Sequence, residues 1–322
     1  MSTPNHRWIP GEGIDTDALA RLRAHFRRPK EAMGEAWFTS EERRMFDELL
    51  PGVANLSITE LRPPLEEIIS GTSSFGPQPE WTQWYHYLLA ELLPRGHESD
   101  YESLFEYLAS GFFVTYPGQI AEPYPGYRDD VFATMGRYLM GAERWSESQR
   151  LAGEILLRPG AHQDGRWAWT LLSREFSAAA FFCAKYLLPE EIGPWMKSML
   201  TIDSAHWNAQ VMQWLYGAHG MLIGDVVSPV GWKSSSWPNV TWAWHHVLRG
   251  DYKTSYLERN KAGRPFLPAE NRAAILRAVA ETVTIERYFS WLDAMKNHAE
   301  LQDELLGIPS GFAEVYRIGT PD

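Results

Sequence analysis

The chain has 322 residues with 15 Trp, 14 Tyr and 14 Phe, enough apolar and aromatic material for a large core, which excludes a disordered polymer. Its formal charge of -11 and pI near 5.4 arise from acidic residues spread along the whole length. That balance argues against nucleic acid and anionic membrane as partners and is compatible with a basic protein partner. The single cysteine, Cys183, excludes an internal disulfide; it sits in AAAFFCAKYL, an apolar helical setting where a thiol behaves as a small hydrophobe. No segment approaches the ~20 apolar residues of a membrane span and the first residues lack an apolar signal core, so a soluble cytoplasmic protein is expected.

Residues 1–14 are polar, with Pro4, Pro10, Gly11 and Gly13, and read as a loose lead-in. The first helical pattern, DTDALARLRAHFRR, puts Leu19, Leu22 and Phe26 on one face and its arginines largely elsewhere. A capping box is expected at Thr39–Glu42, followed by Met45, Phe46, Leu49 and Leu50 at helical spacing as far as Pro51-Gly52. A second box spans Ser57 to Glu60, but Pro63-Pro64 predicts that any helix there starts late or bends.

From Pro79 the period is clearest: Trp81, Trp84, Tyr85, Leu88, Leu89 and Leu92 form one face ending at Pro94. A third box at Ser99–Glu102 accompanies Tyr101, Leu104, Phe105 and Leu108, a stripe that runs to Gly111 and should pack antiparallel on its predecessor. Residues 115–128 carry three prolines and three tyrosines, giving a connector or a tyrosine-rich contact surface. Helices are expected to resume at Asp129 and again over Trp145–Leu157.

The stretch from Arg174 to Gly220 holds the central helices. The one before Pro189 is apolar nearly all round; the next presents Trp195, Met199 and Leu200, and the one after that Trp207, Val211, Trp214 and Leu215. A long interruption at 224–239, a short helix near 242–248, one long or two short helices within Pro268–Lys296 and an irregular tail at 307–322 complete the chain. No sustained period-2 alternation occurs, so the fold class is all-α. Residues 15–306 are expected to form a single elongated domain.

Leucine-rich helix ends meet a breaker at positions 51, 94, 141, 189, 229 and 268, separated by 43, 47, 48, 40 and 39 residues. That spacing resembles the helix-pair unit of HEAT and armadillo-type repeats. The resemblance implies antiparallel helix pairs stacked as an irregular solenoid with a concave surface for proteins; an irregular α-helical bundle is the alternative.

Local signatures of dinucleotide, phosphate, zinc-protease, hydrolase and thiol chemistry are missing from the sequence. No cofactor and no metal are predicted. Asp129-Asp130 resembles the start of the aspartate-rich metal motif of helical isoprenoid cyclases but continues Ala133-Thr134 without the further acid, and reads better as a charge pair at a helix N-terminus.

Two functional expectations follow. One is a protein-binding helical-repeat protein, such as an adaptor or an inhibitor or immunity protein for a basic partner. The other is a helical metal-dependent enzyme or small-ligand binder built from the Trp- and His-rich region 206–251. There the candidate catalytic groups are His206, His219, His246 and Asp251, and the candidate ligand-binding groups are Gln210, Trp214, Trp242 and Trp244.

Overall fold

The computed structural model describes residues 6–34, 45–98, 102–142, 145, 169–232, 238–249, 253–261, 263–298, 301 and 307–319. The capping box expected at Thr39–Glu42, the helix expected over Trp145–Leu157 beyond Trp145 itself, and Asp251 lie outside them. Every regular element among the described residues is helical, and none is long and apolar enough to cross a membrane.

In chain order the α-helices are α1 (Thr16–His25), α2 (Ile58–Phe75), α3 (Pro79–Leu92), α4 (Leu104–Thr115) and α5 (Tyr127–Thr134). They continue with α6 (Trp169–Tyr186), α7 (Pro189–Leu200), α8 (Ala205–Ile223), α9 (Tyr256–Asn260), α10 (Ala269–Thr282), α11 (Ile285–Lys296) and α12 (Ile308–Val315). Local chemistry sets their starts. Asp15 accepts from the Ala18 N–H at α1, Ser57 and Glu60 close a capping box at α2, and Ser103 and Glu106 close one at α4.

Three of these starts and stops differ from expectation. Helix α2 begins at its box and runs through Pro63 and Pro64, because the box satisfies the first turn and the side chains of Leu61, Leu65, Ile68 and Ile69 are buried beyond it. The box expected at Ser99–Glu102 lies, but for Glu102, outside the described residues; helix α4 is capped by Ser103, and it passes through Gly111 to Thr115. A Cβ at Gly111 would stand 2.5 Å from the Tyr85 ring, so this glycine lets α4 close on α3 instead of ending the helix. The expected irregular tail contains α12.

From Phe176 to Tyr186 helix α6 is buried all round, with Ala178 to Ala184 at most 1% exposed. It packs on α4, α8 and α10, and the Asn271 amide of α10 donates to the carbonyls of Ala184 and Leu187 at 2.9 and 2.8 Å. Those are the C-terminal carbonyls of α6, which have no partner within the helix itself. Lys185 turns inward at the same end and donates to Pro117 O and Phe266 O at 2.8 and 3.0 Å, and burial lowers its pKa to about 7.

Helix α7 lies against α10, and α8 against α10, α11 and α12, while α1 lies against α5 and α3. Buried side chains from Trp8 to Phe312 form one connected hydrophobic cluster. The expected breaks do mark element boundaries: Pro189 opens α7, Pro268 caps α10 and Pro94 follows α3.

The lead-in is fixed rather than loose from His6 onward. Trp8 is 1% exposed, its indole N–H donates to Gly136 O at 2.8 Å, and its ring meets Phe176, Trp195 and Trp207 edge to face. The punctuated segment at 115–128 is also inside: Tyr116, Tyr124 and Tyr127 are buried and pack on Phe26 and His86, so they form core rather than a tyrosine-rich surface.

Candidate functional site

The residues singled out in 206–251 are dispersed. His206 and His219 occupy opposite ends of α8, about 20 Å apart at 1.5 Å of rise per residue. The His206 ring meets His298 edge to face at 4.6 Å, whereas His219 lies against Tyr316 at 5.2 Å. His246 is exposed beside Trp244. Trp214 and Trp242 come together on Phe181 at 5.2 and 5.5 Å, deep in the core, with Trp242 donating to Ser110 Oγ. Gln210 and its neighbour Gln213 are fully buried, and their amides make no hydrogen bond among the described residues. Among those residues no three His, Cys, Asp or Glu side chains gather as a metal-binding set. Asp130 is instead paired with Arg21 at 2.6 Å and accepts from Tyr124.

Cys183 is fully buried, and folding places His6 Nε2 3.7 Å from its sulfur, a neighbour that linear sequence conceals. The pair is not a thiolate–imidazolium couple. Burial pushes the thiol well up, while burial and the nearby Arg137 lower His6 to about 3, so both are neutral near pH 7.

Glu106 of α4 is buried against the backbone at Ala243. Its carboxylate accepts from Ala243 N at 2.6 Å and from Ser103 N at 3.3 Å, yet burial raises its pKa to about 7. The native chain keeps this proton to about pH 7, whereas the unfolded chain releases it near 4.5. Stability from this group is therefore full below pH 4.5 and is lost as the pH rises to 7. Relative to wild type, Glu106→Gln should gain about 3 kcal/mol between pH 5 and pH 8 in urea titrations. A pH-independent difference would show that the carboxyl is not held protonated.

The open concave feature lies elsewhere, where four helix ends converge. Helices α7 and α10 finish there and α8 and α11 begin, with Ser204 and Thr284 accepting from the third N–H of the helices they start. A cavity of about 1040 Å³ reaches from Arg7 and Trp145 past Gly193 and Lys197 to Ala278. A second, of about 750 Å³, continues past Asn208 to Ser290 and Trp291. Both share Lys197, Thr201, Ile202, Asp203, Glu281 and Thr282, so they form one groove with these six residues at its waist. The waist carries two carboxylates and one amine. Arg287, also on the wall, donates to Leu200 O at 3.3 Å and so covers a C-terminal carbonyl of α7.

Sequence reasoning assigned none of these residues. The available signals were the polar turn Thr201–Ser204 between two apolar helices, and Asn208 set beside Trp207 and Ala209. Apposition of α10 and α11 with that turn is a tertiary fact that no local pattern carries. No family model, curated protein or solved structure matches the chain.

Proposed function

We propose that this chain acts by binding another protein, as an adaptor or as an inhibitor or immunity protein for a basic domain, with the groove as its seat. The observation that carries the reading is the groove itself: its larger cavity is at the top of the ~300–1,000 Å³ range of an ordinary small-ligand pocket, a second cavity extends it, and its waist carries two carboxylates to one amine within a chain of net charge -11. Electrostatic complementarity of this kind selects a basic partner and speeds encounter. The helix pairs are, on the same reading, an irregular HEAT-like stack, supported by the regular spacing of the breaks.

Native mass spectrometry of the chain purified gently from its own host tests the proposal. A stoichiometric protein partner is expected, with association weakening as salt rises from about 0.05 to about 0.5 M. A bound small molecule or metal with no protein partner would move the function to a different class.

A further inference from the structure

We propose that the groove holds its partner as an extended polypeptide segment, with the Asn208 carboxamide clamping a backbone peptide unit and the Asp203–Glu281 pair receiving a Lys or Arg side chain. The inference rests on the protein-binding reading above and adds its mode and its residues.

Asn208 is the informative group. It belongs to the first turns of α8, is 3% exposed and lines the groove, yet its Oδ1 accepts no hydrogen bond among the described residues. Buried side-chain polar atoms are nearly always paired in native proteins, and one left unpaired costs about 1–3 kcal/mol. Gln210 and Gln213 of the same helix are unpaired too but are fully buried away from the cavities, whereas Asn208 lines one, so it alone of the three can be satisfied by a partner that arrives from outside. Its terminal torsion is broad and two-fold, so either amide end can be presented to the groove.

A primary carboxamide offers donors on one atom and an acceptor on the other. This matches the N–H and C=O of a peptide unit, and an extended strand leaves such groups free for pairing with its binding site. The charges agree in sign. Asp203 and Glu281 stand with Lys197 at the waist shared by both cavities, while Arg7, Glu286 and Arg287 lie on the outer walls, so the excess of acid is confined to the waist. A phosphate backbone would be repelled there.

Gly193 provides a way to close the groove without touching the core. It lines the larger cavity, and a Cβ built on it meets nothing within 4 Å. Gly193→Trp therefore fills the channel from a helical position that tolerates a side chain, and Gly193→Ala serves as its control.

The probe is a random display library of short peptides selected on the full chain, with the best sequence synthesised and titrated by fluorescence anisotropy against its scrambled form. Expected are enrichment of sequences bearing Lys or Arg, loss of binding in Gly193→Trp, and unchanged binding in Gly193→Ala. Asn208→Leu should weaken binding about 10-fold while leaving the unfolding midpoint at or above that of wild type. N-methylation of one backbone amide in the peptide should cost as much as Asn208→Leu, and the two losses should not add. Peptide or partner binding that ignores Gly193→Trp, Asn208→Leu and N-methylation overturns the clamp while leaving protein binding intact. No enriched peptide together with no co-purified partner overturns both.

Discussion

Acidification to pH 5 is expected to cost the fold about 2 kcal/mol for each of His6 and His86, before either ring is protonated in the native state. Burial lowers His86 to about 4, and burial with the nearby Arg137 and Arg128 lowers His6 to about 3, against 6.5 for a solvated imidazole. Hydrogen bonding and packing fit neutral rings: His86 Nε2 lies 2.5 Å from Tyr116 Oη and the ring stacks on Phe26, while His6 faces Phe132 and Cys183. Below pH 6.5 the unfolded chain takes up two protons that the native chain excludes, so stability falls as the pH falls and continues to fall towards the folded values. Glu106 works in the opposite sense over pH 5–7, so each contribution is read from a variant rather than from the wild-type slope. In urea titrations at pH 7.5 and pH 5, His86→Phe should lose about 2 kcal/mol less than wild type between the two conditions. An identical loss in both proteins would show that His86 is protonated in the fold.

What the sequence makes legible follows the range of each signal. The apolar stripe of α3 depends only on neighbours one turn away, and all six residues from Trp81 to Leu92 named for it are buried. Helix α6, apolar nearly all round, is buried on every face from Phe176 to Tyr186. Signals that compete locally are harder. Pro63 and Pro64 speak against a helix, but the cap at Ser57–Glu60 and the burial of the following side chains outweigh them. Gly111 looks like a stop and is a packing contact with Tyr85.

The candidate site is the least legible part, because its waist joins Lys197 and Asp203 to Glu281, nearly eighty residues further along. Trp, His and Gln around 206–251 attract attention as chemistry-bearing types, but most of them fill the core. Asn208 stands among them without a motif, and what distinguishes it is an unpaired amide oxygen together with a place on the groove wall.

Trp8→Ala should produce the largest single loss of stability at any position considered, about 3–5 kcal/mol, because it empties a site enclosed by Phe176, Trp195 and Trp207 and removes the donor to Gly136 O. The same segment is held at two further points. Trp8 N donates to Ser198 Oγ at 2.9 Å, and a Cβ on Gly13 would stand 2.5 Å from Gly141 Cα, an approach open only to glycine. Trp8→Phe separates packing from polarity: it keeps most of the apolar surface, loses the indole N–H and should cost about 1 kcal/mol. Deleting residues 1–14 should cost at least as much as Trp8→Ala, a large share of the ~5–15 kcal/mol that holds a typical domain. Urea unfolding followed by far-UV circular dichroism checks all three, and a deletion that leaves the midpoint unchanged would make the segment a loose lead-in after all. The result also bears on function. Trp8 forms part of the groove wall beside Ser198 and Lys197, so the first residues shape the surface proposed as the partner's seat, and on that proposal a truncated chain should lose peptide binding together with stability.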